Sequence, residues 1–185
     1  CIIRVPEVSE AWIKKALDTG CDGIVIPQIR SAAEARAAVA WCQYPPQGRR
    51  GAAATRAHGF GLNFSEYVAA ANQELAIILQ VEHIDAVNQI DEILQTPGVA
   101  SLFVGPFDLS GSMGLLGQIA HEEVQAAIGR VIAAGKAAGM PLGLYVVDGE
   151  SAASAIARGF QMIALGTDTS YLLAAARAAL RAAKG

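Results

Sequence analysis

Short β-branched runs alternate with longer alanine-rich amphipathic stretches, which predicts an α/β fold on a parallel sheet. The form expected is a (β/α)8 TIM barrel from which the first two βα units are missing. Three observations carry this. The strand candidates are near-continuous apolar runs, the pattern of strands covered on both faces. Six βα units in 185 residues average about 31 residues each, as eight units do in a closed barrel of ~250. No internal repeat, low-complexity tract or linker divides the chain, so residues 1–185 read as one partial barrel domain. The first strand run starts at residue 1 with no loop before it, which places the expected missing units on the N-terminal side. An open, doubly wound six-stranded sheet fits the same alternation.

In chain order, the strand runs are Cys1–Pro6, Gly23–Pro27, Leu75–Glu82, Val99–Gly105, Pro141–Val147 and Gln161–Gly166. The helical stretches are Ser9–Thr19, Ser31–Cys42, His83–Gln95, His121–Ala138, Glu150–Arg158 and Thr169–Ala183, with an extra helix over Asn63–Gln73 after a long loop from Tyr44 to Leu62. Ser31 and Glu34 have capping-box spacing. Gly20, Gly139 and Gly159 stand just past helix ends, where a left-handed residue is wanted.

Composition excludes several classes. The chain is 53% hydrophobic and 17% charged, too apolar for intrinsic disorder. A net charge of −3 offers no basic footprint for nucleic acid or an anionic membrane. No apolar run approaches the ~18 residues of a membrane span. The 3 cysteines, Cys1, Cys21 and Cys42, lack metal-type spacing and are odd in number, which favours a reducing cytoplasm over a disulfide framework.

In parallel α/β folds the chemistry sits at the C-terminal ends of strands. Arg4 lies near the end of the first run, Glu82 ends the third, and Asp108 follows the fourth. Gln80 shares a strand face with Glu82. Two carboxylates at one mouth form a hard-oxygen site for Mg²⁺, Mn²⁺ or Co²⁺, and an arginine there suits an anionic substrate or a developing oxyanion. Asp108 also has the pattern of a helix cap, and Arg4 that of a buried ion pair. Lys14, Lys15, Lys136 and Lys184 all fall in helical stretches or the tail, so no lysine ends a strand as a Schiff-base enzyme requires. Gly105-Pro106 turns into a helix whose N–H groups suit an anion. The long loop carrying Arg50, Arg56 and His58 is expected over the same end of the sheet, where Arg50 and Arg56 would orient the substrate. His58 and His121 stand alone, the latter at a helix start. Asp148 and Asp168 read as helix caps.

The segments Arg4-Val-Pro, Ile13 to Gly20, Tyr44 to Gly51, Leu79-Gln-Val-Glu82, Phe103 to Ser110 and Ala164 to Asp168, in this order, resemble the HpcH/HpaI aldolase family over essentially the whole chain. That family uses a divalent metal and a pyruvate enolate without a Schiff base. The resemblance implies that Glu82 and Asp108 hold the metal and that Arg4 contacts the pyruvyl oxygen. It also implies that the backbone of Gly105, Phe107 and Asp108 holds the pyruvate carboxylate, with Gln80 at the family's glutamine position. Phe107 stands where the family often has alanine. Asp18 matches a family aspartate that pairs, across a subunit boundary, with an acid–base histidine. The Asp-Gly-Glu-His motif bearing that histidine is not found here; the only Glu-His pair is Glu82-His83. A base must still take the 4-hydroxyl proton, and metal-bound water or that histidine would serve. The implied activity is aldol cleavage or synthesis of 4-hydroxy-2-oxo acids from pyruvate and an aldehyde, in a cytoplasmic homo-oligomer, a hexamer by resemblance. A citrate-lyase β-like or malyl-CoA-type lyase is the second reading, and an incomplete barrel that binds metal and 2-oxo acid with little turnover is the third.

Overall fold

The computed structural model describes residues 1–184. Its elements run β1 (Ile2–Arg4), α1 (Glu10–Leu17), β2 (Gly23–Ile26), α2 (Ala32–Cys42), a 3₁₀ segment (Arg56–Gly61), α3 (Phe64–Glu74), β3 (Ala76–Val81), α4 (Ile84–Asn88), α5 (Ile90–Leu94), β4 (Ser101–Val104), α6 (Pro106–Ser112), α7 (Glu122–Ala137), β5 (Leu142–Val146), α8 (Gly149–Ala157), β6 (Met162–Leu165) and α9 (Asp168–Lys184). All neighbouring strands pair parallel, in the spatial order β1-β2-β3-β4-β5-β6. A doubly wound sheet reverses its order at a switch point. This order runs straight through, which excludes that alternative, and the sheet curls as a half-barrel.

Side-chain alternation along each strand sorts the sheet into two faces. Ile24, Ile26, Ile77, Leu79, Val81, Leu102, Val104, Leu142 and Leu144 point outward into the main core, against the buried faces of the helices. Val25, Ile78 and Phe103 point inward, joined by Tyr145, Met162 and Ala164. Arg4 pairs with Val25, Val25 with Ile78, and Gln80 with Phe103, so inward-facing residues of adjacent strands stand side by side. Gly143 makes room in this inner layer. A Cβ there would lie 2.5 Å from Cδ2 of Phe103.

The local signals act as expected at several ends. Ser31 caps α2 by accepting from the Glu34 N–H at 3.2 Å, while the Glu34 carboxylate reaches back to the Arg30 N–H at 2.7 Å. Asp148 caps α8 through the Ser151 N–H at 2.8 Å, and His121 caps α7 through the Glu123 N–H at 3.3 Å. Asp168, expected as a cap, is instead the first residue of α9, and Thr167 before it accepts from the Ser170 N–H at 3.0 Å. The single helix expected over His83–Gln95 is two. It breaks at Gln89 (φ −108°, ψ 22°), because α4 packs on α7 while α5 also packs on α2.

The long loop is placed differently from the sequence expectation. It follows α2 and precedes α3 and β3, so it lies at the N-terminal ends of the strands. The Ala57 N–H donates to the Asp18 carbonyl at 3.2 Å, fixing the loop beside the turn into β2.

Candidate active site

Glu82 continues the inward alternation of β3 through Ile78 and Gln80, one residue past the strand, and is 3% exposed. A carboxylate so buried needs hydrogen-bond donors. Oε1 accepts from the backbone N–H of Gln28 at 2.9 Å, and Oε2 accepts from the Gln80 side-chain amide. Gly105, one residue past the next strand, is the wall behind it. A Cβ there would lie 2.6 Å from Oε2 and 2.8 Å from Cβ of Glu82. The absence of a side chain at Gly105 is what admits the acid.

Burial pushes the Glu82 carboxyl above the ordinary carboxylate range. The Gln28 N–H opposes this, the negative charge of Asp108 adds to it, and the positive charge of Arg4 opposes it; the Gln28 side chain makes the smallest contribution, also downward. Glu82 therefore feels both other charged residues expected at the mouth. Arg4 is the last residue of β1, and Asp108 is exposed in the first turn of α6. Among the described residues no ion pair engages Arg4, so the buried-pair reading of that residue finds no partner.

Gly105 differs from its expected role. Its N–H donates to the Val81 carbonyl at 3.1 Å and is not free for a ligand. Pro106, the first residue of α6, has no N–H, and the first-turn amides of Phe107 and Asp108 lack acceptors inside the helix, as at any helix start. The Phe107 ring is exposed and lines an apolar groove with Ile119, Tyr145 and Val147.

Asp18, Arg50 and Arg56 are not brought to this mouth. Asp18 is the C-cap of α1 and Arg56 opens the 3₁₀ segment, both at the N-terminal end of the sheet. Six residues of β3 separate that end from Glu82, about 20 Å at strand rise. Arg50, 3% exposed, lies 3.5 Å from Asp18, donates to the Tyr67 hydroxyl at 3.2 Å, and stacks on Tyr44 with its guanidinium carbon 4.6 Å from the ring centroid. Lys14 holds the other Asp18 oxygen at 2.8 Å. Within one chain this cluster fastens the loop, and the two arginines are corrected from residues that cover the mouth to residues of the opposite rim. His58 is buried and also holds the loop, its ring within 2.7 Å of the Ala53 carbonyl. Gln28 was missed by sequence reasoning. It follows Pro27 in what reads as a plain loop, and a backbone donor leaves no side-chain signature.

The family model for HpcH/HpaI aldolase/citrate lyase matches residues 1–175. The chain belongs to this family. It is 42% identical over 186 aligned residues to a hydroxypyruvate/pyruvate aldolase of Paraburkholderia phytofirmans, covering 97% of this chain and 71% of that one. A 2-dehydro-3,6-dideoxy-6-sulfogluconate aldolase of Pseudomonas putida is 38% identical, over 100% of this chain and 72% of its own length. Among solved structures, an HpcH/HpaI aldolase/citrate lyase family protein from Burkholderia cenocepacia J2315 superposes with a TM-score of 0.95 at 39% identity, over 100% of this chain and 73% of that one. The relatives named for an activity here are aldolases, that is, carbon–carbon lyases, and this HpcH/HpaI chain is an enzyme of that class.

Proposed function

We propose that this HpcH/HpaI protein is a divalent-metal-dependent (class II) aldolase that cleaves 4-hydroxy-2-oxo acids to pyruvate and an aldehyde, or forms them. The observation that carries the reading is Glu82, a buried acid held at both oxygens and under the influence of Asp108 and Arg4. The donor set fits a hard cation: two carboxylates, and the Gln80 Oε1, which is buried without a partner. Among the described residues no third His, Cys, Asp or Glu joins them. That suits Mg²⁺, Mn²⁺ or Co²⁺, of which Mg²⁺ usually takes one or two protein carboxylates and fills its sphere from substrate and water. Glu82 and Asp108 would hold the ion. When bound, it would supply Lewis-acid polarisation of the substrate's 2-oxo group.

The chain's own groups do the rest of the binding and orienting. Loss of the 4-hydroxyl proton to water and breaking of the C3–C4 bond shift negative charge toward the 2-oxo oxygen, where the Arg4 guanidinium would meet it. The Phe107 and Asp108 amides suit the substrate carboxylate, and the Gln80 amide steadies the same end. Asp18 and Arg56, at the far rim, would meet a mouth only across a boundary between subunits, in the homo-oligomer we propose; Arg50 is enclosed within its own chain. The exposed leucines of α9, Leu172, Leu173 and Leu180, suit such packing. Three free cysteines accord with a cytoplasmic setting, and among the described residues no helix is long and apolar enough to cross a membrane.

Pyruvate release from a 4-hydroxy-2-oxo acid tests the reading. Glu82→Gln and Asp108→Asn are each expected to abolish it with the fold intact, and chelation is expected to do the same to the unaltered protein. Full activity after chelation, or in either variant, rejects it.

A further inference from the structure

Among the described residues, Gln28 is one of two non-glycine residues with a left-handed backbone, φ 55°. Such a conformation is costly for an L residue and persists where its surroundings impose it. Here it follows Pro27 at the C-terminal end of β2, with Ile26 and Ile29 on either side fully buried. Its consequence is specific: the Gln28 N–H meets Oε1 of Glu82 at 2.9 Å, across 54 residues of sequence. The side-chain carbonyl of Gln28 lies 3.5 Å from the guanidinium of Arg30.

We propose that Gln28 is a positioning residue, whose strained backbone fixes the Glu82 carboxylate for metal binding. The inference rests on the metal-dependent reading above. A carboxylate offers about four lone-pair sites. Gln28 takes one on Oε1, and the Gln80 amide takes one on Oε2. With Gly105 packed behind the carboxylate, its plane is set from three sides and one site on each oxygen remains for a cation. Outer-shell donors that orient a ligand carboxylate typically affect metal affinity by about 10–100-fold. The backbone makes the principal contact, so the side chain at this position is replaceable by any that tolerates the left-handed region.

Two variants separate backbone from side chain. Gln28→Gly keeps the N–H and removes the strain; Gln28→Val keeps the N–H but disfavours positive φ. Binding of Mn²⁺ alone is measured by titration for both, for the unaltered protein and for Glu82→Gln. A nuclear magnetic resonance measurement on the metal-free protein follows the Gln28 amide, its exchange protection and its response to Glu82→Ala. Expected are an unchanged Mn²⁺ affinity in Gln28→Gly, about 10–100-fold weaker binding in Gln28→Val, and a protected Gln28 amide that shifts and loses protection in Glu82→Ala. Unweakened binding in a folded Gln28→Val, lost binding in Gln28→Gly, or an amide indifferent to Glu82→Ala would each overturn the proposal. Mn²⁺ affinity identical in the unaltered protein and Glu82→Gln sinks the metal reading, and the proposed role in metal binding with it; the amide measurement then still reports the contact itself.

Discussion

At Gly105 one methyl group decides whether Glu82 keeps its place. Gly105→Ala sets a Cβ 2.6 Å from Oε2, nearer than such contacts allow, against an acid already held by Gln28 and Gln80. Retro-aldol kcat/KM is expected to fall by about 10–100-fold while circular dichroism stays native; unchanged turnover would show that the carboxylate has room to move. The thiols offer a check on burial. Cys42 is pushed up to about 12 by burial, and Cys21 is also raised, for the same reason. Native protein at pH 8 is therefore expected to react with a thiol reagent at exposed Cys1 alone, and at all three cysteines after denaturation. Rapid native labelling of Cys42 would contradict the core packing around α2. Arg4, Glu82 and Asp108 were legible in the sequence because each terminates or follows an apolar strand run. Gln28 was not, because what it contributes is a peptide N–H whose direction depends on a torsion angle.

Among the elements, the inner layer of the sheet is tight at Gly143. Gly143→Ala would drive a methyl group to 2.5 Å from the Phe103 ring, and overpacking of this kind costs about 1–3 kcal/mol. A melting temperature at or above that of the unaltered protein would show that the layer has slack. The loop after α2 gives a complementary case. Arg50→Ala removes a buried guanidinium from Asp18, Tyr44 and Tyr67, with an expected loss of about 2–4 kcal/mol, while Mn²⁺ affinity at the far end of the strands stays unchanged. Weakened Mn²⁺ binding at full stability would bring the loop back to the mouth. Strand runs were readable as unbroken apolar stretches, and most caps as Ser, Asp or His before a helix. The loop's side was also implicit, since a segment that follows a returning helix starts at the N-terminal end of the strands; its basic residues alone suggest the opposite rim. The division of His83–Gln95 was not readable, because it depends on which neighbours α4 and α5 meet.

For the whole molecule, the straight strand order separates a curled barrel-type sheet from a doubly wound one, and only coordinates show it. Unit length pointed the same way, since about 31 residues per βα repeat is barrel spacing. In this sheet β1 and β6 are edges that do not pair with each other, and α9 exposes Tyr171, Leu172, Leu173 and Leu180. Unpaired edges and apolar stripes of this kind favour association. Light scattering is expected to give a mass several times that of one chain, and Leu172→Gln with Leu180→Gln to lower it; a monomer before substitution would remove the oligomer from the proposal. The central claim is that Glu82 and Asp108 share one cation beside Arg4. Anomalous diffraction from crystals grown with Mn²⁺ tests it most directly. The prediction is a single strong peak within coordination distance of both carboxylates. Manganese bound elsewhere, or to one of the two with the other turned away, would contradict it.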